Sequence, residues 1–299
     1  METPDRDVRL PETVAGLPVT ALGRHAFSPG KEQTAEGEQL QMTCGISDNK
    51  PDNRKLERIT LPATLRRVGD YTFYNCAALR EVHLSEKVSH WGIGVFMNCL
   101  MLDTFFIKTL DNRAESVYYF VNEFSQELDV TVTYPEGLPA RLIFPGYTEA
   151  YQENISARHF DYTINGPGYP YHNMFRDRTL VIKDYDRLWP ALLETEHDSA
   201  CARRMAWYRL RYPRELKRDT EDQYLKFLRK NAAEVIFWLL QQKDNRGLAW
   251  FLPSSEAGHE TLRLACEEAR RLNAAEALAL LLEVQHRHFS GGAEKSFAL

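Results

Sequence analysis

The segments LERITLPATLRRVGDYTFYNCAA (residues 56–78), LREVHLSEKVSHWGIGVFMNCLM (79–101) and LDTFFIK (102–108) repeat one pattern with a strict period of 23 residues. The aligned apolar positions are Leu56/Leu79/Leu102, Ile59/Val82/Phe105 and Leu61/Leu84/Ile107. A unit this short cannot bury its own apolar face, so it has to stack on a neighbouring copy. The stretch therefore predicts a repeat protein that folds as a solenoid.

Each copy begins with an L-x-x-I-x-L segment, in which apolar and polar positions alternate as they do in a β-strand. The side chains predicted to point outward are Arg58, Thr60, Glu81, His83, Thr104 and Phe106. Stacked strands lie roughly 4.8 Å apart, so these six residues should form a ladder on one face. The ladder is a candidate protein-binding face with one exposed aromatic, Phe106. The alternative is that residues 28–55 or a hairpin at 116–144 cover Phe106.

Two further positions recur in both full-length copies. Gly69 and Gly92 occupy one turn position, which indicates either a positive φ angle or a close backbone approach. The Asn-Cys pairs at 75–76 and 98–99 precede the next strand, where a small thiol can pack and an amide can satisfy turn backbone groups. Cys76 and Cys99 are therefore predicted to form a buried stack of thiols.

An earlier repeat occupies residues 8–27. Leu22, Gly23 and Phe27 lie two periods before Val68, Gly69 and Phe73. The intervening residues 28–55 are polar and rich in turn formers, and they are predicted to be an insertion that is either disordered or a binding loop.

These segments, with GLPVTALGRHAF at residues 16–27, resemble leucine-rich repeats of the BspA type. The resemblance covers residues 8–107. It implies a parallel β-solenoid used for protein–protein contact, in a family whose members are often found at cell surfaces.

The period fades after Ile107, and residues 108–161 are predicted to close the stack. Within them, 116–144 have the β-branched and aromatic content of strands, and 144–160 resemble a short helix followed by a last strand. The first domain is thus predicted to span 1–161, and 162–185 to form an aromatic bridge.

Residues 186–299 change to apolar spacings of i, i+3, i+4 and i+7, which predict helices. Two helical segments, 224–244 and 261–285, weakly resemble ankyrin-like helix pairs, although they lie about 42 residues apart. The expected fold class is α+β, with a short parallel leucine-rich β-solenoid followed by an α-helical, ankyrin-like domain. The whole arrangement also resembles leucine-rich repeat proteins of gut clostridia.

Composition narrows the class of protein. The chain has 299 residues and a formal net charge of −5, which argues against a protein that works by coating nucleic acid. The N-terminus has no leader pattern, and no apolar run is long enough to span a membrane. Five widely spaced cysteines fit a reducing compartment. We therefore expect a cytoplasmic protein, or one at the cell surface if a leader had been removed.

No catalytic motif, cofactor motif or metal-ligand spacing is present, so we expect no enzyme, no cofactor and no metal. The histidines His286 and His288 are spaced i, i+2 and would point apart on a helix. The predicted function is a non-enzymatic scaffold for an unidentified protein partner, and the oligomeric state is left open.

The strongest local charge signal is RRMAWYRLRYPRELKR (203–218). It favours an amphipathic helix whose arginines form the solvent-exposed face. Binding of an acidic protein partner to those arginines is an alternative. The alternative function is association with nucleic acid through this helix.

Overall fold

The computed structural model describes residue 3 and residues 5–30, 52–154, 159–195 and 199–289. Most of the predicted insertion at 28–55 therefore lies outside the described residues, and its last part forms a short 3-10 helix, Asn53–Lys55. The chain divides into two compact units, Met1–Cys201 with Tyr212–Glu215, and Ala202–Arg211 with Leu216–Leu299. The predicted domain boundaries remain predictions.

The first unit contains all the described strands. They are β1 (Asp7–Arg9), β2 (Thr13–Val14), β3 (Leu17–Pro18), β4 (Ala21–Leu22), β5 (Arg58–Thr60), β6 (Arg67–Val68), β7 (Glu81–Ser85), β8 (His90–Trp91), β9 (Thr104–Lys108), β10 (Leu128–Thr133), β11 (Ala140–Phe144), β12 (Thr148–Asn154) and β13 (His159–Asn165). The main sheet has the order β1-β5-β7-β9-β10-β11, and a second sheet has the order β4-β6-β8.

The 23-residue period sets the register of the main sheet. β5, β7 and β9 pair in parallel, with Arg58 opposite Glu81 and Glu81 opposite Thr104. β10 continues the parallel run, but β11 pairs with it antiparallel, so the sheet is mixed. The reason is the short connection at 134–139, which contains Gly137 at φ +82° and is too short for a parallel crossover.

The core of the repeats lies between the two sheets. All three aligned leucines, Leu56, Leu79 and Leu102, are fully buried. One rank of phenylalanines is stacked as well: the ring of Phe73 lies 5.2 Å from that of Phe27 and 5.4 Å from that of Phe96. Burying such side chains stabilises the fold by about 1.5–3 kcal/mol each.

The recurring glycines allow adjacent turns to approach closely. A Cβ atom on Gly92 would lie 2.4 Å from the backbone nitrogen of Asp70 and 2.5 Å from the carbonyl carbon of Gly69. Gly69 meets the backbone of Arg24 and Gly23 in the same way. Of the two explanations that the sequence left open, close approach is therefore the one that holds.

The Asn-Cys pairs form two ladders beside these turns. The thiol of Cys99 donates to the carbonyl oxygen of Phe73 at 3.1 Å, and that of Cys76 to the carbonyl oxygen of Phe27 at 3.4 Å. The side-chain nitrogen of Asn98 donates to the side-chain oxygen of Asn75 at 2.8 Å. Each asparagine has φ +64°, a conformation that asparagine tolerates better than most residues.

We expect Cys76 and Cys99 to resist thiol reagents in the native protein. Burial raises the pKa of Cys76 to about 12 from an ordinary value of 9.0, and the thiolate is the reactive form. Site-resolved mass spectrometry after alkylation at pH 8 should find both thiols unmodified until denaturant is added. The pKa of Cys76 is higher in the folded than in the unfolded protein, so burial of its neutral thiol contributes to stability below about pH 9. This contribution is lost as the pH rises through about 12. Rapid native labelling of either thiol would contradict the buried ladder.

The closing segment differs from its prediction. Residues 115–123, expected as part of a strand, form the helix α1 (Glu115–Glu123). Its Phe120 ring lies 4.3 Å from that of Phe105 and so covers the last repeat. The carboxylate of Glu86 accepts the amide of Ser116 at 3.1 Å at the start of the helix, although burial raises the pKa of Glu86.

The segment after β11 also differs from its prediction. β12 and β13 form an antiparallel ribbon in place of a short helix and a strand. Three helices follow, namely α2 (Gly168–His172), α3 (Ile182–Arg187) and α4 (Trp189–Thr195). The hydroxyl of Tyr185 donates to the carbonyl oxygen of Ile143 at 2.7 Å, which ties α3 to β11.

The second unit is helical, as predicted. Its helices are α5 (Ser199–Arg211, from Ala202 on), α6 (Arg218–Lys230), α7 (Ala232–Gln242), α8 (Asn245–Phe251), α9 (His259–Arg271) and α10 (Ala275–Phe289), with a 3-10 turn at Leu252–Ser254. α8 and the 3-10 turn lie between the two helix pairs, which accounts for their spacing of about 42 residues. The ankyrin-like comparison remains a prediction.

Candidate functional site: the outward face of the main sheet

Two long rows of outward side chains cross the main sheet, and a shorter row of Ser85, Lys108 and Thr133 follows them. We call the two long rows the sheet face; its first row is Asp7, Arg58, Glu81, Thr104 and Asp129, and its second is Arg9, Thr60, His83, Phe106, Thr131 and Arg141. The structure thus brings together all six residues predicted from the sequence. Their outward direction follows from the alternation of the strands, since Ile59, Val82 and Phe105 between them are fully buried.

Sequence reasoning missed both ends of the sheet face. Asp7 and Arg9 lie in β1, which precedes the insertion, so the 23-residue count does not reach it. Asp129 and Thr131 lie in β10, 25 residues after Thr104 and Phe106, because α1 lengthens the last connection. The alternation in LDVTVT was the only signal available for β10.

Three charged side chains of the first row are paired with one another. The guanidinium of Arg58 donates to Glu81 at 2.6 Å and to Asp7 at 2.7 Å. Burial raises the pKa of Glu81, but hydrogen bonds from His83 and Arg58 outweigh burial and hold it below its ordinary value. Glu81 is therefore a carboxylate at neutral pH. Arg58 thus lies between two carboxylates, and the row, which also contains Asp129, holds more acidic than basic side chains.

The centre of the sheet face is an aromatic plate made by His83 and Phe106. Their rings are stacked, with centroids 4.4 Å apart and planes 8° from parallel. The Nε2 atom of His83 also contacts the Glu81 carboxylate. Both rings are half-buried. Segment 116–144 contributes β10 and β11 beside Phe106 in the same sheet, so it does not form the covering hairpin.

A second ion pair borders the plate on its other side. Arg141 of β11 holds the carboxylate of Asp129 in two hydrogen bonds, of 2.8 and 2.6 Å. Bidentate pairs of this kind are geometrically specific. The aromatic plate thus lies between two sets of paired charges.

Residues 45–132 match the family model for the BspA type leucine-rich repeat region, in six copies. The match starts after the predicted first repeat at 8–27 and continues through β10. No curated protein and no solved structure matched the chain. The second unit lies outside the family match.

Leucine-rich repeat domains generally mediate protein–protein interaction, and the geometry of this face agrees with that use. Its centre is a pair of half-buried rings and its border is charged, which is a usual composition of an interface. Among the helices of the described ranges, none is long and apolar enough to cross a membrane.

A surface depression and four cysteines lie outside the sheet face. A depression of about 360 Å³ is lined by Ser125, Gln126, Gly146, Tyr147, Thr148, Asn165 and Gly166, none of them charged. No cluster of three or more possible metal ligands occurs in the described part of the chain. The cysteines Cys76, Cys99, Cys201 and Cys266 are buried.

The arginines of the basic stretch at 203–218 differ in exposure and in their contacts. In α5, Arg209 is fully buried, Arg203 and Arg204 are half-buried, and Arg211 is exposed. Arg214, in the first unit, lies 3.7 Å from the centre of the Tyr134 ring and donates to backbone carbonyls. The nucleic-acid alternative is not tested by these contacts and remains a prediction.

Proposed function

We propose that this protein is a non-enzymatic scaffold that binds a protein partner through the sheet face, with the stacked repeats serving as a short, rigid solenoid. The observation that carries the proposal is the His83–Phe106 plate, half-buried between paired charges. A stacked aromatic offers a large contact area, and its rotamer is already restrained by its neighbours.

The charge pattern supports a folded protein partner over a polyanion. Arg58 and Arg141 are already bound to carboxylates of the same face, so phosphate groups would have to displace those carboxylates. A protein surface with its own mixed charges can instead complete the pairs at the border. The apolar plate would then supply most of the affinity, as buried centres of interfaces do.

The test is affinity capture with the full chain and with Phe106→Asp, followed by titration of the identified partner. We expect Phe106→Asp to weaken binding by at least about 30-fold, since loss of a central anchor costs about 2 kcal/mol or more. Leu100→Asp is the matched control, because it places the same charge at an apolar position that is 80% exposed and outside the sheet face.

Equal binding by wild type and Phe106→Asp would move the site away from the sheet face. A reproducible hydrolytic or transferase activity of the purified chain would contradict the non-enzymatic proposal. Thermal unfolding of both variants establishes that they are folded before binding is compared.

A further inference from the structure

A cluster of tryptophans and arginines lies within the second unit. Its residues are distant in sequence from those of the sheet face. The indole of Trp207 on α5 lies edge-on to Trp238 on α7 and to Trp250 on α8, at 5.7 and 5.4 Å between centroids. Three helices thus contribute one tryptophan each to a common cluster.

The cluster is built around a glycine. A Cβ atom on Gly247 would lie 2.7 Å from atom Cζ2 of Trp207 and 2.2 Å from the carboxylate of Asp244. Glycine at this position therefore lets the buried Trp207 pack directly against α8. Trp250, by contrast, is 41% exposed.

The two arginines of the cluster differ in how their charge is compensated. Arg203 lies over the Trp238 ring and pairs with Glu234 at 3.6 Å. Arg211 lies 5.5 Å from the centre of the Trp250 ring and 6.0 Å from that of Trp207. It is exposed, and within the described ranges it has no carboxylate in ion-pair distance.

We propose that Arg211 and Trp250, which we call the Arg–Trp plate, bind a short acidic peptide segment of a partner protein. The charge is complementary: α5 carries four arginines and no acidic residue, and Arg211 holds the exposed one of the four guanidinium groups. A carboxylate can accept two parallel hydrogen bonds from the guanidinium of Arg211. An apolar side chain next to that carboxylate would cover the exposed face of Trp250.

The Arg–Trp plate suits an acidic peptide better than a nucleic acid. Strong binding to a phosphate backbone uses several cations along the chain, whereas the plate offers one uncompensated guanidinium beside an apolar ring. The chain as a whole carries a formal charge of −5, which opposes a long polyanion more than a short peptide. The proposal for the Arg–Trp plate does not depend on the proposed function of the sheet face.

The test is a titration of the full chain with a short capped peptide in which glutamate and leucine alternate, followed by tryptophan fluorescence. We expect a saturable change in emission, because Trp250 would leave water on binding. Arg211→Gln should weaken binding about tenfold or more in this titration. Trp250→Leu, which removes the reporting indole, should weaken binding by the same factor when titrated by calorimetry. Arg270→Gln is the matched control, since Arg270 on α9 is also exposed and has no ion pair or ring contact among the described residues.

Three results would overturn the proposal: no saturable change up to millimolar peptide, equal weakening by Arg270→Gln and Arg211→Gln, or tighter binding of a single-stranded RNA that competes with the peptide. The same titration with Phe106→Asp should match wild type. Failure of the sheet face and failure of the Arg–Trp plate are thereby distinguishable.

Discussion

Replacing Gly92 with alanine should lower the free energy of unfolding of the repeat region by about 3 kcal/mol or more. The added Cβ would lie 2.4 and 2.5 Å from backbone atoms of Asp70 and Gly69, which cannot rotate away as a side chain can. The turns would have to separate, and the amide of Gly92 would lose its 2.8 Å hydrogen bond to the carbonyl oxygen of Val68.

The matched control is Gly23→Ala, at the equivalent turn position of the first repeat. No atom lies within 4 Å of the Cβ that this change would add, so we expect a change of under about 0.5 kcal/mol. Hydrogen exchange of peptides from residues 56–108 during urea unfolding reports on the repeats themselves, because the two units need not unfold together. Similar losses for both variants would show that close stacking of the turns is not the reason for the recurring glycine.

Phe105→Ala should cost about 3–5 kcal/mol of stability, as expected for the removal of a buried phenylalanine. Phe105 is fully buried, and its ring lies 4.3 Å from that of Phe120 and 5.7 Å from that of Phe124. Its removal would therefore leave a cavity where the closing helix α1 packs on the last repeat.

Phe106→Ala is the natural control, because it removes the same side chain from the next residue, on the other face of β9. We expect a loss of about 1 kcal/mol, mainly from the stacking with His83. The same hydrogen-exchange experiment measures both variants. Equal losses would mean that the sheet face is as buried as the core, which would also contradict its use as a binding surface.

The repeat pattern made the central part of this fold predictable. A period of 23 with alternating apolar positions determines which residues of β5, β7 and β9 face each other, because the side-chain period of a strand is 2. The six predicted residues of the candidate site follow directly from that register. The helices from residue 199 on were equally predictable, since their apolar spacing is helical over long segments.

The segments that close the repeats could not be derived in the same way. Residues 116–121 are rich in valine and aromatic residues and favour a strand locally. They form α1 because the end of a repeat stack exposes an apolar surface, here Phe96 and Phe105, that an amphipathic helix covers well. The acceptor at the start of that helix, Glu86, comes from 30 residues earlier in the chain.

By itself, the sequence determined the repeat, its register and the outward direction of Arg58, Thr60, Glu81, His83, Thr104 and Phe106, because these depend on spacing along the chain. Only the tertiary structure decided that His83 stacks on Phe106, that Asp129 and Arg141 border them, and that Arg211 lies on Trp250. His83 and Phe106 lie one period apart, so the repeat places them side by side, but the stacking of their rings depends on their rotamers. The other contacts join residues whose separation in sequence follows no period, so they exist only once the backbone has brought the elements together.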